Sequence, residues 1–404
     1  MISSSHTVAK KQSNIRNMFA LLALAISAFG IGTAEFISVG LLSQVSNDLS
    51  VSVTTAALTV SLYALGATVG APILTALTSR IPRKTLLLIL LVIFVLGNTI
   101  AALSTSFTML LFARIITALS HGVFMSIGAT LAASLVPENK RASAIAIMFT
   151  GLTVATITGV PIGTFLGQLY GWKFAFVGIA IIGVIGLIAN SILLPSKMAK
   201  GAPASLMDMI RLVTNGRLLL VFIITALGYG GTFVVFTYLS PLLEDVMHLN
   251  DSSISLVLLV YGIAITIGNI IGGKASNKKT IRSLLFMFLA QAIILFVLAF
   301  TIPFKVAGLI TLIILGLFAF MNVPGLQVYA VTLAQRYVPN AVDVVSAINI
   351  AAFFAGITLG SYLGGVVTDS IGLSHTPWVG AIMVLLAVVL TGWNVILERK
   401  NQSK

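Results

Sequence analysis

Between Met18 and Leu42 the chain carries a single charged side chain, Glu35. The run is apolar enough for a bilayer, where a charge at mid-depth costs roughly 2.5–3.5 kcal/mol on insertion scales. A second apolar run holds Arg114, and His121 follows it at i+7, two helical turns along the same face. Counted from a helix end at Ser43, Glu35 lies 8 residues inward, about 12 Å at 1.5 Å per residue, and Arg114 lies as deep from an end at Ser106. A carboxyl, a permanent cation and an imidazole are the groups needed to take up and release a proton. Loss of water favours a neutral carboxyl and a facing guanidinium favours the carboxylate, so moving either partner would switch proton occupancy. Two plainer readings stay open: a static Glu35–Arg114 pair joining two helices, and a His121 bonded to a backbone carbonyl.

Such groups need helices to carry them, and the composition supplies those. Of 404 residues 58% are hydrophobic and 8% charged, with a mean hydropathy of +1.11, which no solvated surface of this size accommodates. The reading is an all-α integral membrane protein of twelve spans, near 18–43, 54–79, 85–105, 107–134, 142–168 and 173–194, then 218–242, 252–274, 281–303, 306–334, 342–368 and 376–397. The first apolar run is too long for a signal-peptide core, so it is read as a retained helix. The predicted divisions are an N-tail 1–17, a six-helix bundle 18–194, a linker 195–217, a second six-helix bundle 218–397 and a C-tail 398–404. Within the linker, Leu206, Met209, Ile210 and Val213 follow an i, i+3, i+4, i+7 stripe. Both a short interfacial helix and a partly ordered connection fit it.

The net charge of +13 raises the question of nucleic acid. Its placement answers otherwise: with the N-terminus inside, all 23 Lys and Arg except Arg114, Lys173 and Lys305 fall in the tails and loops of one side. That asymmetry orients the protein with both termini cytoplasmic and puts cations against anionic lipid. No cysteine is present, so disulfides, thiolate metal sites and cysteine nucleophiles drop out. No metal motif and no GxxxxGK[ST] phosphate loop occurs, and the paired acids or Ser-Lys arrangement of a membrane enzyme are missing. The chain is therefore read as neither an enzyme nor an ATP-driven pump, and without a cofactor.

The halves repeat. The segment from Tyr63 aligns with that from Tyr261, pairing Thr68 with Thr266, Gly70 with Gly268 and Arg80 with Lys278. Gly159, Gly163 and Gly167 match Gly356, Gly360 and Gly364, each a GxxxGxxxG ridge that lets helices approach closely. A parallel six-plus-six duplication is typical of transporters that rock two pseudo-symmetric halves about a central site.

Four stretches carry a family resemblance: TAEFISVGLL from Thr33, the basic loop SRIPRK from Ser79 to Lys84, SHGVFMSIGA from Ser120, and GVPIG from Gly159 to Gly163. Over nearly its whole length the chain resembles the major facilitator superfamily, in its twelve-span drug and sugar antiporter group, near the bacterial branch of arabinose-, sugar- and purine-efflux proteins. The usual acid of the basic-loop signature is replaced by Ser79 and, in the second half, by Asn277, so a lock built on that carboxylate does not carry over. The resemblance implies that Arg80, Arg83, Lys84, Gly159, Pro161 and Gly163 serve the conformational change, the three cations through helix C-termini or lipid phosphates. Topogenic charge alone is the other reading of those cations.

The resemblance further implies that spans one, four, seven and ten line a central cavity, bringing Glu35, Arg114 and His121 together as the proton-coupling group. For substrate contacts the candidates are Tyr229, Thr232 and Phe236 on one face of the seventh span, the interruption of the tenth by Asn322, Pro324, Gly325 and Gln327, and Asn349. Helix packing is the alternative for each. The expected activity is proton-coupled export of a small organic solute across a bacterial cytoplasmic membrane. One acid against one base favours a neutral sugar-like, nucleoside-like or antibacterial compound over a lipophilic cation. Import by the same fold, or multidrug export of lipophilic cations, is the alternative. The expected partners are the small-molecule substrate, protons and membrane lipid, with no nucleic acid, and the protein is expected to act as a monomer.

Overall fold

The computed structural model describes residues 2–78, 81–137, 141–195, 206–338 and 342–402. Among these the fold is helical with no strand, as a bilayer requires of a chain that must satisfy its backbone polar groups internally. Twelve helical segments are long and apolar enough to cross a membrane: Asn17–Gly40, Val53–Gly70, Arg83–Ala102, Phe107–Ala129, Ile147–Tyr170 and Trp172–Leu193 in the first half. In the second half they are Gly216–Phe236, Asp251–Ser276, Thr280–Thr301, Lys305–Tyr337, Ala347–Ser370 and Leu373–Arg399. These are the first to twelfth spans below. An even number places both termini on one face.

The eighth and ninth spans belong to one uninterrupted helical stretch, Asp251–Thr301, which nevertheless bends back. Ser283 Oγ donates to Ala275 O at 2.8 Å, whereas eight residues of straight helix would separate them by about 12 Å. The turns joining spans five to six and eleven to twelve each use a glycine with positive φ, Gly171 at 93° and Gly372 at 101°, a conformation that side chains disfavour.

The two glycine ridges do equivalent work in the two halves. Gly159, Gly163 and Gly167 of span five lie on Thr33, Ile37 and Leu41 of span one. Gly356, Gly360 and Gly364 of span eleven lie on Ala226, Gly230 and Val234 of span seven. The contacts differ in kind. Ile37 Cδ1 and Leu41 Cδ2 face Gly163 and Gly167, while main-chain carbonyls of Ala226, Gly230 and Val234 face the span-eleven ridge. Span five also carries a π turn at Ala155–Gly159, after which Pro161 sits in the first turn of helix Val160–Tyr170. There its missing N–H removes little.

At the face opposite the termini the halves are hydrogen-bonded, Ser255 Oγ donating to Gln168 Oε1 at 2.7 Å. Thr358 Oγ1 donates to Ser61 O at 3.4 Å nearer mid-depth, and Gly262 of span eight packs on Thr156 and Ile157 of span five. On the terminal face Lys84 Nζ donates to Ser191 O at 2.8 Å and Leu194 O at 2.6 Å, a cation placed on the last carbonyls of span six. Arg83 opens the third span beside it. Ser79 and Arg80 lie outside the described residues. The linker contains a helix, Leu206–Thr214, with Leu212 buried in the apolar core and Met207, Ile210 and Val213 exposed, the two-sided pattern of a helix lying at a membrane surface.

Candidate functional site

Glu35 stands in the last third of the first span, toward the end remote from the termini, with 9% of its surface exposed, and Arg114 of the fourth span is 1% exposed. Arg114 does not pair with the Glu35 carboxyl. Its guanidinium donates to three main-chain carbonyls, Nη1 to Ala34 at 2.5 Å, Nη2 to Glu35 at 3.2 Å and Nε to Thr59 at 3.2 Å. Its Cζ lies 4.1 Å from the ring centroid of Tyr63, within range of a cation–π contact. These carbonyls belong to spans one and two, so one side chain of span four fastens both neighbours. The fork geometry matters here, since an ammonium could not address three carbonyls at fixed angles.

His121, two turns beyond Arg114, accordingly meets side chains and not a backbone carbonyl. Its Nδ1 lies 3.0 Å from Tyr63 Oη, and its Nε2 lies 3.9 Å from Glu35 Oε2. The far side of the imidazole meets Phe354 of span eleven edge-on at 5.2 Å. Tyr63 thus supports Arg114 with its face and His121 with its hydroxyl. Glu35 is left as a carboxyl whose nearest basic group is an imidazole beyond hydrogen-bond distance, at the boundary between halves.

Across that boundary the surface is aromatic. Phe36, next to Glu35, lies 6.0 Å from Phe236 and 6.1 Å from Phe320, and Phe236 stacks on Tyr261 at 5.6 Å and 16°. Tyr229 packs against Phe233, Phe320 and Phe353 at 4.9–5.2 Å. A pocket between the halves is lined by Phe36, Phe236, Phe320, Tyr261, Thr156 and Gly262 among others.

The other candidates turn away from this chamber. Thr232 Oγ1 accepts from Gln291 Nε2 at 2.6 Å, and Asn322 Nδ2 donates to Gln291 Oε1 at 3.0 Å, tying spans seven, nine and ten. Asn349 Nδ2 donates to Gln327 Oε1 at 2.8 Å and Thr225 Oγ1 donates to Asn349 Oδ1 at 2.9 Å, tying spans ten, eleven and seven. The tenth span is broken where Asn322 stands, between helices Lys305–Ala319 and Val323–Tyr337, with Pro324 in the first turn of the second. The structure therefore sets Glu35 and His121 beside each other in the first half, while Tyr229 packs on Phe320, which with Phe236 and Phe36 lines the pocket between the halves. Arg114 is anchored to main-chain carbonyls, and Thr232, Asn322, Gln327 and Asn349 stand in separate networks.

The family model of the Major Facilitator Superfamily matches residues 24–348. The chain belongs to this superfamily. YtbD of Bacillus subtilis, an uncharacterized MFS-type transporter, is 64% identical over 97% of this chain and 99% of its own length. The inner membrane transport protein YdhP of Escherichia coli is 37% identical over 92% and 95%. The putative transporter AraJ of E. coli is 29% identical over 88% and 89%. Among solved structures, a D-xylose-proton symporter matches with a TM-score of 0.73 at 15% identity, covering 93% of this chain and 97% of that one. A bacterial homologue of the lysosomal transporter Spinster, inward-facing and unoccupied, matches at 0.72 and 15%, covering 94% and 97%. The protein is thus a multi-pass membrane transporter of the superfamily and not an enzyme.

Two residues that organise these contacts lie outside the sequence candidates, Tyr63 beside Arg114 and His121 and Gln291 in the separate network of spans seven, nine and ten. Gln291 is a lone amide in the apolar run of span nine, the same kind of signal that marks Glu35. Tyr63 heads the repeated segment that ends in the basic loop, but its pairing with Arg114 and His121 depends on how spans two and four are rotated, which periodicity does not report.

Proposed function

We propose that this MFS transporter exports a small organic solute from a bacterium across the cytoplasmic membrane in exchange for protons, with both termini and the linker cytoplasmic. The carrying observation is the position of Glu35. Arg114 is satisfied by main-chain carbonyls, so the carboxyl is not locked in a salt bridge and remains able to exchange its proton. It sits between His121 of its own half and the aromatic surface of the other, where any relative movement of the halves alters the groups that face it. Proton occupancy and conformation are then linked by necessity. The halves are joined at the face opposite the termini, as expected of a state that opens toward the cytoplasm. The direction of transport rests on the resemblance carried by the GVPIG stretch of span five, which here runs from the last residue of the π turn into the helix whose glycines lie against span one.

In proteoliposomes with an imposed pH gradient, Glu35→Gln should fold and bind solute yet lose gradient-driven accumulation, while Glu35→Asp retains part of it. A folded Glu35→Gln protein accumulating solute at the wild-type rate would remove Glu35 from the coupling. Uptake into everted vesicles tests the direction, and uptake only into right-side-out vesicles would make the protein an importer.

A further inference from the structure

On the membrane-facing side of the first half, spans three and six leave a gap of about 320 Å³ between them. Span three lines it with Val95, Thr99 and Leu103, and span six with Val177, Ile181 and Ile185. The one hydroxyl in this lining is already satisfied, since Thr99 Oγ1 donates to Val95 O at 2.8 Å within its own helix. What fills the gap therefore needs no hydrogen-bonding groups. Leu103, Ile181 and Ile185 are exposed along its sides, at a depth where the neighbouring medium is hydrocarbon. From Val177 to Ile185 the gap follows span six for about 12 Å at 1.5 Å per residue.

In the second half the same place is closed. The buried sides of spans three and nine match in one register, Leu87, Phe94 and Ala101 with Leu284, Gln291 and Leu298. Spans six and twelve match from their positive-φ glycines onward, Gly171 with Gly372, and then at the buried pairs Ile179 with Gly380 and Gly186 with Ala387. In these registers Thr99, Leu103 and Val177 correspond to Phe296, Phe300 and Trp378. Those three rings pack on one another at 4.8–5.2 Å, inclined at 67–84°. The gap is thus not imposed by the fold: it stands where the other half places three aromatic side chains. Left empty, it would forfeit dispersion contacts along its whole lining. A cation stands at its outer end. Lys173 lies on span six one turn before Val177, on the same helix face and toward the membrane surface. Its Nζ lies 5.4 Å from the ring centroid of Trp172. The carboxylate beside that ring, Asp48, accepts from Trp172 Nε1 at 2.8 Å, and Lys173 forms no ion pair among the described residues.

We propose that the gap between spans three and six is a lipid site. It takes one acyl chain of a phospholipid from the leaflet on the face opposite the termini, and Lys173 meets the phosphate of that lipid's headgroup. The chain supplies along Val177, Ile181 and Ile185 the packing that Phe296, Phe300 and Trp378 supply in the other half. A compact ammonium suits a phosphate as a point charge, and attraction between basic side chains and lipid headgroups is strongest at the membrane surface. A helix of another protein, about 10–12 Å across with its side chains, is too thick to enter a gap of about 320 Å³. The site lies within one half and apart from Glu35, so it is occupied whichever way the solute moves.

The test is photolabelling of the purified full-length protein in nanodiscs of phosphatidylethanolamine and phosphatidylglycerol. The probe is phosphatidylglycerol with a diazirine in mid-chain, and labelled peptides are mapped by mass spectrometry. The second half serves as the internal control, because bulk lipid touches both halves alike. Labelling of 95–103 and 177–185 should exceed that of the matching 292–300 and 378–386 by roughly 3- to 10-fold. Val177→Trp, which supplies the ring present in the other half, should bring the first half down to the level of the second. Leu103→Phe should do so in part, and thermal unfolding shows that each variant folds; where Val177→Trp does not, Leu103→Phe decides. Lys173→Gln, which leaves the gap open, should lower labelling of the first-half stretches by roughly 2- to 5-fold. Equal labelling of the two halves, unchanged labelling in the folded filled variants or in Lys173→Gln, or protection of these stretches by a second copy of the chain in dimer-containing nanodiscs would overturn the proposal.

Discussion

Replacing Gln291 with leucine removes three interhelical hydrogen bonds while nearly preserving side-chain volume. The lost bonds are Nε2 to Gly228 O at 3.2 Å, Nε2 to Thr232 Oγ1 at 2.6 Å, and Asn322 Nδ2 to Oε1 at 3.0 Å. Interhelical hydrogen bonds in membrane proteins average about 0.6 kcal/mol each, so the three together contribute about 2 kcal/mol. Asn322 is then left fully buried with an unpaired amide, which costs about 1–3 kcal/mol more. The expected loss is therefore about 3–5 kcal/mol, read as a shift in reversible unfolding in mixed micelles. Asn322→Leu alone removes one bond and should cost less. The double variant Gln291→Leu/Asn322→Leu leaves no orphaned amide and should lose less than the sum of the singles, a coupling on the order of 1–2 kcal/mol. Transport by the folded single variants should stay within about 2-fold of wild type, because the network ties spans seven, nine and ten to one another inside one bundle. Additive losses would show that the Gln291–Asn322 bond contributes nothing of its own, and wild-type stability in the single variants would refute the network as a support of the fold.

The glycine ridges should respond unequally: Gly360→Ala drives a methyl into the Gly230 carbonyl and should cost about 1–3 kcal/mol of stability, whereas at Gly163 the methyl meets only the movable end of Ile37 and the loss should be smaller. Equal losses in thermal unfolding would contradict the packing described. Tyr63→Phe keeps the ring beneath Arg114 but frees His121 Nδ1, so the pH profile of transport should shift while solute affinity does not; superimposable profiles would exclude the hydroxyl from coupling. Lys84→Met removes a cation from the last carbonyls of span six and should lower stability by roughly 0.3–1 kcal/mol, with a mutant as stable as the wild type as the refuting result. Since the chain has no native cysteine, Thr105→Cys should react with an impermeant thiol reagent in intact cells and Thr214→Cys should not; the reverse pattern would invert the orientation.

The sequence by itself determined the spans, their number and their duplication. A bilayer allows a spanning segment only if its backbone is internally bonded and its side chains are apolar over about 20 residues, so composition and length alone carry that information. The same reasoning marks Glu35, Arg114 and His121, because any ionisable group in such a run is conspicuous. What composition does not carry is rotation. Glu35 and Arg114 lie at equal depth, yet the guanidinium is aimed past the carboxyl at the carbonyls of Ala34, Glu35 and Thr59, because span two brings Tyr63 beneath it. Thr232 shares a helix face with Tyr229 and Phe236 by spacing, yet it is turned to Gln291 while they pack on Phe320. These choices are made where helices touch. The span-five and span-eleven glycines set how closely, and at which angle, each partner helix lies, and only then is it decided which side of a helix faces its own bundle and which faces the other half.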